Sequence, residues 1–244
     1  MTDKLLNALL VTGTDTEVGK TVLTTALAAY WQKYHSSRSL GIMKLMQSGE
    51  GDAPEGSHPR GDREWYQKLF SLDQSPEELT PLYFQAPLAP PIAAAKENKT
   101  IDLAKVWQSF TALRQRRDFL LVEALGGLGS PVTNELTVAD LAGEWHLPTV
   151  LVVPVKLGAI AQAVANVALA RQLRVNLKGI ILNCVQPRTN EEIADWTPIE
   201  LIQSLTYIPV LGCLPYLDNL TDLEKMAQIA SNLDLERLLP FAKV

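Results

Sequence analysis

The chain has 244 residues, 47% of them apolar, with 22 basic and 27 acidic side chains and a net charge of −5, which suits one large α/β domain or two small ones and excludes a disordered chain. With no long basic run, three scattered histidines (His35, His58, His146) and two cysteines (Cys184, Cys213) outside any CxxC spacing, no nucleic-acid partner is expected, zinc is disfavoured and free thiols in a reducing compartment are expected. Asp3 and Lys4 precede only a short apolar stretch, which is no leader pattern, and no apolar run approaches the roughly 20 residues that span a bilayer, so the expectation is a cytoplasmic protein that does not bind membranes.

The first apolar run, 8–12, predicts a buried strand, and the helical period of 20–33 predicts a helix. Between them stands GTDTEVGKT, Gly13 to Thr21. Strand, glycine-bounded loop, Lys-Thr and helix together make a phosphate cradle, in which backbone N–H groups and the helix dipole face an anion. Gly13, Thr14, Asp15, Thr16, Glu17, Val18 and Gly19 supply the loop. Lys20 reaches terminal phosphates and the Thr21 hydroxyl is a Mg²⁺ ligand. Five residues separate the two glycines where the common pattern has four, so this is a longer variant.

The run 40–43 predicts a second strand, closed by Lys44 and followed by Gln47-Ser48-Gly49. A lysine at a strand's carboxyl end faces the ligand crevice of a parallel sheet, where it neutralises charge on a substrate or a transferred phosphoryl group. Residues 46–61 and the proline-bearing stretch 74–100 read as long loops, the first on the ligand face. Asp62 reads by itself as a helix N-cap, with Glu50, Asp52 and Glu55 as rivals for any acidic role in that loop.

A helix over 102–117 leads to the most apolar strand, 118–122, then Glu123 and the pair Gly126-Gly127. A carboxylate there suits Mg²⁺ on nucleotide phosphates, which takes one or two carboxylates beside phosphate oxygens. A helix over 136–146 and a strand over 149–153 precede Lys156-Leu157-Gly158-Ala159-Ile160, which is either a plain βα turn or a carboxylate-binding helix start before a helix over 159–172. The strand 178–183 ends in Asn183, either a turn residue or an amide facing a purine edge. A helix over 190–205, a strand over 208–212, Leu214-Pro215 beside a base pocket and a helix over 222–239 complete the chain, the last with a docking stripe of Leu223, Met226, Ile229, Leu233 and Leu238. The alternation predicts a mostly parallel sheet with helices on both faces, and with the Gly13–Thr21 loop the expectation is one α/β domain over 1–244 of P-loop NTPase type.

Taken together these segments resemble the dethiobiotin synthetase family of biotin biosynthesis. The likeness is carried by GTDTEVGKT, Lys44 with Gln47-Ser48-Gly49, Pro54-Glu55-Gly56 with an Asp soon after, Val122-Glu123, Gly126-Gly127, Val155 to Ile160, Asn183 and Leu214-Pro215, over nearly the whole chain. The resemblance implies a ligase that joins CO₂ to 7,8-diaminononanoate with Mg-ATP, through a carbamate and a carbamic–phosphoric anhydride. It implies that Lys20 stabilises the transferring phosphoryl group and Lys44 the carbamate, and that Thr21, Asp62 and Glu123 surround Mg²⁺. Thr16, Glu17 and Ser48 would lie by diamine and phosphate, with Asn183 and Pro215 at the adenine. Gly158, Ala159, Ile160 and Ala161 would take the substrate carboxylate across a homodimer interface. Three positions depart from the family: Leu45 for proline, Ala124-Leu125 for Gly-Ala, and Ala161 for the asparagine of some members. The rival from another class is a partitioning-type switch ATPase that binds protein partners. Such loops carry an early second lysine, where this one has Thr14, Asp15 and Thr16. An amidating synthase would need a further domain, and a non-catalytic nucleotide module leaves the strand-end charges unexplained.

Overall fold

The computed structural model describes residues 7–49 and 61–239. In chain order it comprises β1 (Ala8–Gly13), α1 (Lys20–Tyr34), β2 (Leu40–Lys44), β3 (Gln47–Ser48), α2 (Asp62–Leu69), α3 (Pro76–Leu79), β4 (Tyr83–Phe84), α4 (Pro90–Lys96), α5 (Leu103–Arg116), β5 (Phe119–Gly127), α6 (Val138–Glu144), β6 (Pro148–Pro154), α7 (Ala159–Gln172), β7 (Asn176–Asn183), α8 (Asn190–Trp196), α9 (Ile199–Thr206), β8 (Val210–Leu214) and α10 (Leu223–Ala230), then a 3₁₀ turn at Leu235–Arg237. Six strands form one sheet in the order β2-β5-β1-β6-β7-β8, and every pairing in it is parallel.

Alternate residues of each central strand enter cores on opposite faces. Leu9, Val11, Phe119, Leu121, Val150 and Val152 pack with Leu23, Leu27 and Trp31 of α1 and Met226 and Ala230 of α10. Leu10, Leu120, Val122, Leu151 and Val153 pack with Phe110 of α5, Val138 of α6, Ala163 and Val167 of α7 and Ile202 of α9. Burial on both faces removes any need for a polar side, which is why the strands are unbroken apolar runs. Among the described residues no helix is long and apolar enough to cross a membrane.

The sheet strands and α1, α5, α6 and α7 fall where the periodicity places them, with ends shifted by a few residues. Three expectations need correction. The helix expected over 190–205 is two, α8 and α9, parted at Thr197-Pro198, because proline lacks an N–H and pushes the preceding residue out of the helical region. The helix expected over 222–239 stops at Ala230; Asp234 N–H instead bonds the Leu211 carbonyl, 2.8 Å away. The stretches taken as long loops hold structure. Ser75 caps α3 in a capping box with Glu78 and has Pro76 next to it, α4 opens on Pro90-Pro91, and β3 pairs with β4 in a two-stranded parallel sheet. Those prolines open helices, where a missing N–H costs nothing.

Candidate active site

β2 and β5 are neighbours in the sheet, and their register sets Lys44 beside Glu123; on the other side Val11 of β1 also pairs with Glu123. Glu123 therefore stands mid-strand rather than at the strand end expected, since β5 continues to Gly127. The loop after β1 runs past the same place into α1. Gly19 is the helix N-cap, at φ 100°, and offers no side-chain cap, so the first N–H groups of α1 are left to other partners. A side chain at Gly19 would strike the Asn183 amide. Gly127 approaches the loop so closely that an added Cβ would lie 2.8 Å from the Thr14 carbonyl oxygen.

Around this loop lies a cavity of about 550 Å³, lined among others by Thr16, Glu17, Gly19, Lys20, Thr21, Lys44, Ser48, Asp62 and Glu123. Thr21 Oγ1 donates toward Asp62 Oδ1 at 3.0 Å and Glu123 Oε1 at 3.1 Å. Lys44 Nζ donates to Glu123 Oε1 at 2.7 Å and to Asp62 Oδ2. Lys20 Nζ donates to the Asp15 carbonyl at 2.9 Å, and Asp15 Oδ1 accepts from Thr16 N–H at 2.7 Å. The sequence-derived phosphate, charge-neutralising and carboxylate residues thus meet in one place.

The two ammonium groups are treated oppositely. Burial, then the nearby Lys44 charge, lowers Lys20 from the usual 10.5 to about 8 despite Glu123, Asp62 and Asp15. Burial opposes the charge of Lys44 as well, but Asp62 and Glu123 outweigh it and hold the ammonium above its usual value. Burial pushes Asp62 up, yet Lys44, the Thr21 hydrogen bond and Lys20 leave it below the usual carboxylate range.

Asp62 is not the N-cap of its helix. Gly61 takes that position without a side-chain cap, and the Asp62 carboxylate turns to Thr21 and Lys44 instead. Thr21 Oγ1 and the two carboxylates form a cluster of hard oxygen donors, the chemistry that Mg²⁺ takes. The residues present therefore fit that ion, with two carboxylates and a hydroxyl; among the described residues no group of three or more His, Cys, Asp or Glu is arranged to hold a metal ion. Glu50, Asp52 and Pro54-Glu55-Gly56 lie outside the described residues.

Asn183 is 2% exposed and its Nδ2 donates to the Val18 carbonyl at 2.9 Å, bracing the phosphate loop from β7. It pairs in register with Leu214, directly before Pro215. Neither Asn183 nor Pro215 lines the cavity, and neither do Gly158, Ala159, Ile160 and Ala161. Gly158 is the N-cap of α7, at φ 88° and without a side-chain cap. At the first departure from the family, the Leu45 N–H donates to the Glu123 carbonyl at 3.1 Å, a bond proline could not make. At the second, Ala124 is buried and Leu125 joins the cavity wall.

Two further contacts flank the site, one from Tyr66, which belongs to no motif, and one from Gln47 of the Gln47-Ser48-Gly49 segment. The Tyr66 hydroxyl donates to Glu123 Oε2, and Gln47 Oε1 accepts the Arg63 N–H at 3.1 Å at the start of α2. The signal for Tyr66 is its i, i+4 spacing from Asp62, which sets both on one helix face.

The chain matches the AAA domain family over residues 7–224. It is 66% identical to the ATP-dependent dethiobiotin synthetase BioD of Gloeothece citriformis over 96% of this chain and 99% of that protein. It is 51% identical to the Synechocystis protein of the same name over 96% and 95%, and 31% identical to the Bacillus subtilis one over 94% and 96%. Among solved structures, a ParA family ATPase from Chlorobium tepidum superposes with a TM-score of 0.54 at 14% identity, covering 97% of this chain and 94% of the other. A chain of the MinC:MinD cell division protein complex of Aquifex aeolicus gives 0.53 at 15%, covering 94% and 87%. Those two likenesses show the fold alone. With the loop, the paired lysines and carboxylates on one cavity, and such identity along nearly its full length, the chain belongs to the dethiobiotin synthetase family.

Proposed function

We propose that the protein carboxylates 7,8-diaminononanoate with CO₂ and closes the cyclic urea of dethiobiotin at the expense of ATP. The observation that carries this reading is the convergence of Lys20, Lys44 and Ser48 on one cavity beside the phosphate loop. A plain nucleotide module has no use for a second buried ammonium there, and a partitioning-type switch would bring its second lysine from early in the loop, where this chain has Thr14, Asp15 and Thr16.

One substrate amine adds to CO₂ and loses a proton, giving a carbamate. A carbamate oxygen attacks the γ-phosphorus, the bond from that phosphorus to the bridging oxygen breaks, and ADP departs. The second amine, neutral, then attacks the carbamate carbon, and phosphate leaves as the ring closes. Charge neutralisation and alignment are what such phosphoryl transfer demands of a protein. Loop N–H groups and Lys20 would grip the triphosphate, and Lys44 would face the carbamate and its anhydride. Thr16, Glu17 and Ser48 would orient the diamine. Thr21, Asp62 and Glu123 would hold Mg²⁺, which supplies Lewis-acid stabilisation of phosphate oxygens when bound. Adenine would lie past Val18 and Gly19, near Asn183 and Pro215, the β7–β8 register pairing Asn183 with Leu214, directly before Pro215.

The uncapped start of α7, at Gly158 to Ala161, would take the substrate carboxylate of a second copy, making the enzyme a homodimer. Two free thiols, Cys184 and Cys213, support a cytoplasmic setting.

The test is the product mass after incubation with the diamine, ¹³C-bicarbonate and Mg-ATP. One labelled carbon in a cyclic urea, with ADP release that needs both diamine and bicarbonate, is the expected result. ATP turnover indifferent to the diamine and stimulated by a protein partner would refute the reading.

A further inference from the structure

Glu123 is wholly buried, and its carboxylate is engaged at both ends. Oε1 is shared by Thr21 Oγ1 at 3.1 Å and Lys44 Nζ at 2.7 Å. Oε2 accepts from the hydroxyl of Tyr66, itself fully buried in the core on the α1 side. The backbone of Glu123 is fixed by strand pairing and by the Leu45 N–H. The remaining freedom is rotation of the carboxylate about its last bond, a broad and weakly restricted torsion in a glutamate. α2 limits that freedom, because it carries Asp62 and, one turn later, Tyr66 onto the same site. Asp62 meets Thr21 from one side while Tyr66 holds the far oxygen of Glu123 from behind.

We propose that Tyr66 is a positioning residue for Glu123, its hydroxyl fixing the carboxylate plane so that Oε1 is presented to Thr21 and to a divalent cation. The inference rests on the reading of Glu123 as a Mg²⁺ ligand. Groups that orient a metal-binding carboxylate matter nearly as much as the carboxylate, and their loss costs about 10- to 100-fold in metal affinity.

The experiment is calorimetric binding of ADP to the full chain at stepped Mg²⁺ concentrations, with Tyr66→Phe, Glu123→Gln and the double variant. Tyr66→Phe should raise the half-saturating Mg²⁺ concentration about tenfold or more while leaving Mg²⁺-free ADP affinity unchanged. In the Glu123→Gln background the same change should have no further effect, because Tyr66 acts through the carboxylate. The double variant also removes the unpaired carboxylate and so guards against a folding defect in the single one. An unshifted Mg²⁺ dependence in Tyr66→Phe, beside a shifted one in Glu123→Gln, would overturn this inference alone. So would a shift that persists undiminished in the double variant, the mark of a merely structural tyrosine. An unshifted Glu123→Gln would remove the metal reading and the inference with it.

Discussion

Replacing Lys20 by methionine should make the free protein more stable. Lys20 is 6% exposed, and burial with the neighbouring Lys44 charge brings its ammonium from 10.5 to about 8. That drop is worth roughly 3 kcal/mol against folding. The unfolded chain holds the proton more tightly than the folded one, so stability rises with pH from about 8 to 10.5; below that window the full cost is present, and above it none is. Methionine keeps the apolar stem and discards the charge. It also loses the hydrogen bond to the Asp15 carbonyl, worth about 1 kcal/mol. The net gain at pH 7 is then about 2 kcal/mol, or about 4–8 °C in Tm for a chain of this size. Thermal melts of wild type and Lys20→Met without nucleotide, at pH 7 and at pH 11, test the argument, since titrating groups that do not feel the Lys20 charge cancel in the difference. The variant should melt higher at pH 7 and slightly lower at pH 11. With saturating Mg-ATP the order at pH 7 should invert, because only the wild type gains strong ligand linkage. A variant that melts lower at pH 7, or a difference that does not move with pH, refutes the reasoning.

Lys44→Met should do the reverse, leaving the buried Glu123 and Asp62 carboxylates without their cation at a cost of about 3–5 kcal/mol in denaturant unfolding at pH 7. Because Lys44 holds Asp62 below its ordinary 3.8, the part of this deficit that runs through Asp62 is complete above about pH 4 and fades as pH falls below it. Gly19→Ala places a side chain at φ 100° against the Asn183 amide; the backbone strain alone is about 1–3 kcal/mol, and ADP affinity by calorimetry should fall at least about tenfold. Cys213 is pushed to about 12 by burial and by Cys184, so iodoacetamide should modify it in the folded protein at pH 8 roughly a thousandfold more slowly than in the unfolded chain. Timed mass spectrometry checks this, and equal rates would contradict it.

The sheet strands are legible in sequence because each must satisfy two apolar faces at once, as the division of Leu9 and Leu10 between opposite cores illustrates. The phosphate loop is legible because glycine, lysine and threonine act there at fixed local spacing. The neighbourhood of Glu123 is not local. Its partners Lys44, Asp62 and Tyr66 lie 79, 61 and 57 positions away along the chain, joined by a strand order, β2-β5-β1, that no run of residues announces. Helix α2 hides for another reason. Its eight residues, DREWYQKL, bury only Trp65 and Tyr66, too few for a recognisable apolar period. α3 and α4 escape because their prolines mark helix starts rather than loops. The break at Pro198 is the opposite case, a proline within the periodic run 190–205 that ends one helix and begins another.

The same two carboxylates explain why the lysines differ. Lys44 touches both Asp62 and Glu123, so its charge is matched and its proton secure. Lys20 feels them only at longer range, together with repulsion from Lys44, and stays under-neutralised beside a helix start with no side-chain cap. An arriving phosphate therefore meets its strongest unmet attraction at Lys20 and the α1 N–H groups, while Lys44 presents little net charge until another cation draws on its carboxylates. Glu123 Oε1 serves both Thr21 and Lys44, so under the proposed function a divalent ion held by Thr21, Asp62 and Glu123 would compete directly with Lys44 for the oxygens that now hold it. That competition would give the ammonium a reason to turn toward an anionic substrate only when nucleotide and metal are in place, and would tie the second lysine's availability to occupancy of the first lysine's loop.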